Sequence, residues 1–237
     1  MESMKFDHVI HFIEETPEQA VEFWGQQNLH GVIGGRHEKW GTRNALWYGM
    51  DSYIEWLSLE NRQIAESASH PLTQLLLRNG PGFGTICFRV ESIGQLEERL
   101  ASEGFRTSGI LDGSRRTAGG KLIEWKMLFI NEDFSERLPN PFFIEWNETD
   151  EERYEGLKAD GAIKAADENR TLERCVFGVE DVEATSRRWK AILGGSLQLP
   201  NCEIEFRKQT GQKERLEEVY FRNGKERVLY QKGIYMI

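Results

Sequence analysis

Hydrophobic residues alternate and then shift to helical spacing in an order that recurs along the chain. Residues 5–13, KFDHVIHFI, predict a strand. Thr16 followed by Pro17 is typical of a helix start, and Ala20, Val21 and Trp24 share one face of the helix. The first unit is predicted as a strand, a helix and two strands joined by a tight turn: 5–13, 16–27, 44–48 and 53–57.

The same order recurs after a short helical linker, which we predict over residues 70–77. Its helix places Ile93, Leu96 and Leu100 on one face and ends at Gly104. The second unit is predicted as a strand, a helix and three strands: 84–90, 92–103, 105–111, 122–130 and 142–146.

A third, less regular copy follows residues 148–170, a stretch rich in Glu, Lys, Asp and Ala that predicts a solvated helix or linker. Within it, the acidic run 148–155 is interpreted as solvated surface. The third unit is predicted as a strand, a helix and several strands: 172–179, 181–193, 196–199, 203–207, 216–221 and 227–230.

Consecutive strands after each helix favour an α+β fold of repeated βαβββ modules, with curved, mostly antiparallel sheets and helices outside. Two modules side by side cover each other's open edges and form a cup for a ligand. We therefore predict a paired βαβββ domain over 1–150 (modules about 5–60 and 83–147), a linker over 151–170 and a third, divergent βαβββ-like module over 171–237.

Charge and composition narrow the classes of function. Acidic residues number 39 and basic residues 30, for a net charge of −9, which disfavours a nucleic-acid partner. No apolar run is long enough for a membrane span, and the N-terminus lacks the apolar stretch of a signal peptide, so we expect a cytoplasmic protein. The three cysteines form no CxxC pair and are interpreted as buried thiols.

Several segments together resemble a known family. They are Asp7-His8-Val9, residues 34–46 (GGRHEKWGTRNAL), Tyr53-Ile-Glu-Trp56, residues 114–117 (SRRT) and residues 141–146 (PFFIEW). In this order they resemble the glyoxalase-like branch of the vicinal oxygen chelate superfamily, which includes glyoxalases, bleomycin-resistance proteins and extradiol dioxygenases. The resemblance covers about residues 5–147.

The resemblance implies a divalent metal held by side chains of the first and last strands of each module. His8, Glu55 and Glu145 are the ligands it implies here, for Mn²⁺, Fe²⁺, Ni²⁺ or Zn²⁺. The repeated text Tyr-Ile-Glu-Trp and Phe-Ile-Glu-Trp predicts that Glu55 and Glu145 face the same cavity. The fourth ligand position falls near Thr85, which is not a usual metal ligand, so loss of the metal is the alternative.

The other candidates have both a functional and a structural interpretation. Without a metal, Glu55 and Glu145 form a general acid–base pair. His37 is a candidate proton shuttle or an exposed loop histidine. The candidates for substrate binding are also explained by packing or by solvated charge; they are Arg36, Arg115, Arg116, Trp56, Trp125, Trp146 and Thr85.

Two functions follow. The first is an enzyme, a lyase, isomerase or dioxygenase, that acts on a small oxygen-bearing carbonyl or diol substrate. The second is a binding or resistance protein that holds a drug-like, cationic or aromatic compound without catalysis. In either case the expected partner is a small-molecule ligand, and the third module is expected to cover a sheet edge or to build a homodimer.

Overall fold

Two β-sheets organise the chain. The computed structural model describes residues 4–116, 122–131 and 137–237, and of Arg115 and Arg116 it describes the backbone. The strands are β1 Lys5–Ile13, β2 Gly31–His37, β3 Thr42–Tyr48, β4 Tyr53–Leu59, β5 Gly82–Arg89, β6 Leu111–Arg116, β7 Leu122–Phe129, β8 Phe142–Trp146, β9 Leu172–Val179, β10 Glu203–Lys208, β11 Arg215–Phe221, β12 Arg227–Tyr230 and β13 Gly233–Met236. The helices are α1 Pro17–Gln26, α2 Arg62–Ser67, α3 Pro71–Asn79, α4 Ile93–Ser102, α5 Asp150–Ala159 and α6 Val182–Ile192.

The first sheet has eight strands in the order β2-β3-β4-β1-β5-β8-β7-β6. β1 pairs in parallel with β4 and antiparallel with β5, and β5 pairs in parallel with β8. Each module thus begins with a strand in the centre of the sheet and ends with a strand beside it. This arrangement confirms the predicted fold of paired βαβββ modules with a concave face.

Local sequence signals explain the helices that cover the convex face. Thr16 and Gln19 form a reciprocal capping box at the start of α1, and Pro17 occupies its first turn. Trp24 on the inner side of α1 is fully buried and stacks on Trp56 of β4, with ring centroids 5.4 Å apart. These contacts fix α1 against the sheet.

The structure differs from the predicted elements at several points. Residues 31–37, interpreted as a glycine-punctuated connection, form β2, whose pairing with β3 is irregular between Ile33 and Arg36. The strand predicted at 105–111 lies instead at 111–116. Residues 196–199 contribute an isolated bridge rather than a strand, and α2 and β13 were not predicted.

The third unit forms a five-stranded sheet in the order β10-β9-β11-β13-β12. It packs on the convex side of the first sheet, where His11 of β1 lies beside Tyr235 of β13. The His11 Nδ1 atom is 2.6 Å from the Tyr235 hydroxyl, and its Nε2 atom is 3.2 Å from the carbonyl of Gln231. His11 therefore joins the two sheets.

Within the described ranges, every helix is too short or too polar to cross a lipid bilayer.

Candidate functional site

A cavity opens on the concave face of the first sheet. Its volume is about 70 Å³. Both modules and the helical segment between them contribute to its wall, which combines aromatic, imidazole and carboxylate groups. Its residues include His8, His37, Trp40, Asn44, Tyr53, Glu55, His70, Trp125, Phe142 and Trp146.

A bulge in β1 places two functional side chains together. The pairing of β1 with β5 passes from Phe6 opposite Phe88 to His8 opposite Cys87, so Asp7 is an extra residue in β1. Normal alternation sends neighbouring side chains to opposite faces, but here the Asp7 Oδ1 atom lies 2.7 Å from His8 Nδ1. Asp7 is fully buried and His8 nearly so. His8 lines the cavity, and Asp7 lies behind it.

Two buried arginines keep Asp7 charged. Arg89 Nη1 is 3.6 Å and Arg153 Nη1 is 3.9 Å from Asp7 Oδ2. Burial by itself raises the pKa of the Asp7 carboxyl, but the charge of Arg153, the hydrogen bond from His8 and the charge of Arg89 outweigh it. The pKa of Asp7 therefore lies well below its usual range.

The charge state of Asp7 determines which ring nitrogen of His8 carries the proton. An ionised carboxylate only accepts hydrogen bonds, so His8 donates from Nδ1. In the neutral ring the lone pair is then on Nε2, which points toward Glu55 Oε2 at 3.9 Å. Tyr53 stacks on the imidazole with ring centroids 4.2 Å apart, and this contact fixes the ring plane.

Glu55 is held from behind by an amide. Asn44 Nδ2 donates to Glu55 Oε1 at 2.7 Å, and Asn44 Oδ1 accepts from the backbone N–H of Gly35 at 2.8 Å. The second oxygen of Glu55 is left facing His8. Two proton acceptors, His8 fixed by Asp7 and Glu55 fixed by Asn44, therefore lie on either side of a short gap.

The predicted convergence of Glu145 with His8 and Glu55 is wrong. In β8 the residues that line the cavity are Phe142, Ile144 and Trp146, so Glu145 points to the opposite face. There its Oε2 atom accepts from the backbone N–H of Ile93, at the start of α4, and its Oε1 atom pairs with Lys126 at 3.2 Å. The two similar segments, Tyr53–Trp56 and Phe143–Trp146, present opposite faces to the cavity: the first and third residues line it in β4, but the second and fourth do in β8.

Other predicted binding residues also lie elsewhere. Trp56 is buried on the convex side against Trp24. Arg36 has 70% of its side chain exposed and pairs with Glu60 at 2.9 Å. Thr85 lines an adjoining cavity of about 300 Å³ and donates to the carbonyl of Asn140. The side chains of Arg115 and Arg116 lie outside the described residues.

Three predicted residues besides His8 and Glu55 do line the cavity: His37, Trp125 and Trp146. His37 Nδ1 is 2.9 Å from Thr42 Oγ1, and Trp146 Nε1 donates to Asp7 Oδ2 at 3.1 Å. Trp125 and Trp146 contact each other with ring centroids 5.5 Å apart. The two tryptophans thus form an aromatic wall connected to the Asp7–His8 pair.

Sequence reasoning missed the residues that support the site. Asp7 and Asn44 lie inside the quoted segments. The position of Asp7 directly before His8 was the signal that could have identified it. Arg153 lies in the acidic segment interpreted as solvated surface, yet it is buried, with its guanidinium 4.0 Å from the centroid of Trp146. Trp40 also lies inside a quoted segment, residues 34–46, whereas His70 carried no signal beyond its residue type.

The described residues do not provide the predicted metal site. Ligand atoms of Asp7, His8 and Cys87 lie within 4.8 Å of one another. However, Asp7 is already hydrogen-bonded to His8 and Trp146 and lies beside two guanidinium groups. Burial, with the nearby Asp7 charge, raises the pKa of the Cys87 thiol well above its usual value, so the thiolate that a metal needs is disfavoured. With Glu145 on the other face, this donor set does not fit a divalent ion.

Comparison with known proteins agrees with the fold. A sequence model of the family described as a glyoxalase-like domain matches residues 6–193. The crystal structure of a hypothetical protein from Staphylococcus aureus superposes with a TM-score of 0.81 at 24% identity and covers 98% of both chains. None of the functionally curated proteins compared with the chain matches it.

Methylmalonyl-CoA epimerases are also structurally similar over part of the chain. The enzyme from Mycobacterium tuberculosis has a TM-score of 0.39 at 18% identity and covers 60% of this chain and 85% of its own. A Streptomyces coelicolor enzyme in complex with 2-nitronate-propionyl-CoA has a TM-score of 0.43 at 17% identity and covers 61% of this chain and 98% of its own.

Proposed function

The chain belongs to the glyoxalase-like domain family, and we propose that it catalyses proton transfer next to the carbonyl of a small oxygen-bearing substrate through Glu55 and His8. The observation that carries the proposal is the 3.9 Å gap between His8 Nε2 and Glu55 Oε2. Asp7 fixes His8, and Asn44 fixes Glu55, each by a hydrogen bond. Such fixed groups need little reorganisation when charge or protons move.

An α-hydroxy carbonyl compound suits this pair. Glu55 takes the proton from the hydroxyl-bearing carbon; the electron pair of that C–H bond forms a C=C bond, and the π pair of the carbonyl moves onto oxygen to give an enediolate. For isomerisation, His8 Nε2 accepts the hydroxyl proton and passes it to the former carbonyl oxygen, the C=O bond re-forms at the original hydroxyl oxygen, and Glu55 delivers its proton to the former carbonyl carbon. When Glu55 exchanges its proton with solvent and returns one to the original carbon, the hydroxyl keeps its proton and the sum is exchange of the C–H proton; neither course changes the net charge.

No step passes through a metal, because the donor set does not fit one. In this proposal Glu55 and His8 carry out the proton transfers without the divalent ion that the family resemblance implies. We therefore expect the same rate with and without EDTA.

Proton exchange with solvent tests the proposal. Hydroxyacetone and 2-hydroxyacetophenone, one aliphatic and one aromatic α-hydroxy ketone, are followed by ¹H NMR in D₂O with the purified protein. We expect protein-dependent loss of the C–H signal next to the carbonyl of at least one compound. Glu55→Gln should lower the rate by about 10²-fold or more, since a positioned general base contributes about that much.

Glu60→Gln is the matched control, because Glu60 is a carboxylate just beyond β4 that pairs with Arg36 at the surface. It should exchange protons at the wild-type rate. Exchange no faster than in buffer, or an equal rate in Glu55→Gln and wild type, contradicts the proposal.

Binding of an aromatic cation without catalysis is the second candidate. The observation that favours it is the position of Glu55 among Trp40, Trp125 and Trp146 in one cavity, since a cation gains from both aromatic faces and a carboxylate. Titration with benzyltrimethylammonium, followed by tryptophan fluorescence, tests it. Saturable quenching that disappears in Glu55→Gln, in a protein without exchange activity, supports this function over the first.

A further inference from the structure

His70 occupies an unusual place for a histidine. It is the residue before α3, where Ser, Thr, Asp or Asn commonly caps the helix with a side-chain oxygen. The His70 side chain makes no capping hydrogen bond. It turns instead into the wall of the cavity that contains His8 and Glu55, and only 8% of the residue is exposed.

Both ring nitrogens of His70 lack a hydrogen-bond partner within the described part of the chain. Burial, reinforced by the neighbouring His37, lowers the pKa of His70 to about 3, so the ring is neutral at physiological pH. A neutral imidazole carries one N–H donor and one acceptor lone pair. Leaving both unpaired in a buried position is costly, which is why an unpaired buried group needs an explanation.

The ring is also held in one orientation. Trp40 stacks on it with ring centroids 3.9 Å apart, and Phe129 contacts it edge-on at 5.5 Å. A donor fixed by packing loses little rotational freedom when a ligand arrives. The unsatisfied ring is therefore held in one orientation at the wall of the cavity.

We propose that His70 is a substrate-binding and catalytic residue whose N–H donates to the carbonyl oxygen of the substrate. The proposal rests on the proposed function, and it adds the position of the carbonyl group. As negative charge develops on that oxygen, the hydrogen bond strengthens and stabilises the enediolate. A neutral ring selects an uncharged oxygen over a carboxylate, and the negative charge of Glu55 in the same cavity acts in the same direction.

Substitution by phenylalanine separates this role from a structural one. His70→Phe keeps a flat ring against Trp40 and removes both unpaired nitrogens, so we expect a melting temperature equal to or above that of the wild type. Calorimetric titration with 2-hydroxyacetophenone should show a dissociation constant raised by about 3- to 10-fold, as expected for one neutral hydrogen bond. His70→Asn, which keeps a donor on a shorter side chain, should fall between the two.

His30→Phe is the matched control, because His30 does not line the cavity. It should bind 2-hydroxyacetophenone as the wild type does. If His70→Phe does not fold, ¹⁵N-histidine spectra of the wild type replace it. The His70 ring signals, assigned as those missing in His70→Asn, should then shift on addition of the ketone.

The outcomes distinguish this proposal from the proposed function. Binding that depends on His70 without proton exchange supports the role of His70 and contradicts the enzyme. If His70→Phe and the wild type bind the ketone with equal affinity and exchange its proton at equal rates, the role of His70 is contradicted and the proposed enzymatic function is still supported. A folded His70→Phe of clearly lower stability, or no binding of the ketone by the wild type, overturns the inference.

Discussion

Asn44 connects Gly35 to Glu55: its amide oxygen accepts the Gly35 backbone N–H at 2.8 Å, and its amide nitrogen donates to Glu55 at 2.7 Å. Gly34 makes this contact sterically feasible, because a Cβ atom there would overlap Asn44 Oδ1. Gly34 and Gly35 of β2 therefore help to position the Glu55 carboxylate of β4, because both contact Asn44 of β3, the strand between them.

Adding one methyl group at Gly34 should thus displace Asn44 and release Glu55. We expect Gly34→Ala to lower proton exchange with 2-hydroxyacetophenone by about 10-fold or more, as is typical when a catalytic group is misplaced. Gly35→Ala is the control, since a Cβ atom at Gly35 meets no atom within 4 Å. Equal rates for the two variants by ¹H NMR would show that Asn44 does not position the carboxylate.

Asp7 should be important for stability as well as activity. Asp7→Asn leaves the buried guanidinium of Arg153 without its negative partner, which typically costs about 3–5 kcal/mol of unfolding free energy. Asp150→Asn removes a half-exposed partner of Arg89 and should cost about 1 kcal/mol or less. Urea denaturation of both variants measures the difference, and similar losses for the two would count against a buried charge network.

Glu145 should affect the stability of the fold and leave catalysis unchanged. Glu145→Ala removes the acceptor for the first N–H of α4, so we expect a loss of about 1 kcal/mol in thermal or urea unfolding. Proton exchange should stay within twofold of the wild type. A decrease in the exchange rate comparable to that of Glu55→Gln would show that Glu145 takes part in catalysis.

Acid should destabilise the protein through its buried histidines. Burial lowers the pKa of His11 to about 3, and burial with the charge of His37 does the same for His70, whereas an unfolded histidine titrates near 6.5. The unfolded state therefore binds more protons below pH 6.5. The free energy of unfolding should fall as pH decreases from about 6.5 toward 3, by up to about 1.4 kcal/mol per pH unit for each histidine.

Urea denaturation between pH 7.5 and 5 measures this slope. His70→Phe should show a shallower slope than the wild type, because one of the two buried imidazoles is gone. An identical slope in both proteins would mean that His70 accepts a proton as easily in the folded state as in the unfolded one.

Hydrophobic spacing was enough to predict the architecture of residues 5–147. The alternation in 5–13 and the spacing of Ile93, Leu96 and Leu100 are local properties, so a single sequence displays them. The order of elements then restricts the topology, because three strands after a helix must pair with one another. Strand ends were less predictable: β2 contains consecutive glycines, and its pairing with β3 stabilises it in spite of them.

The site was predicted only in part, and the reasons are tertiary. His8 and Glu55 followed from the resemblance, but the repeated Phe-Ile-Glu-Trp text gave the wrong face for Glu145, because a one-residue offset reverses every side chain in a strand. The bulge that joins Asp7 to His8 depends on how β1 pairs with β5. Arg153 reaches Asp7 from a helix more than 140 residues away in sequence, which local pattern cannot show.

The sequence alone thus determined which segments are strands and helices, and that two similar units form a cup, since both depend on local periodicity and on covering exposed edges. The tertiary structure decided which acid joins His8, which histidine stays unpaired and which donors are free for a ligand. Those relations depend on strand register and on burial, and both are set by contacts between segments distant in the chain.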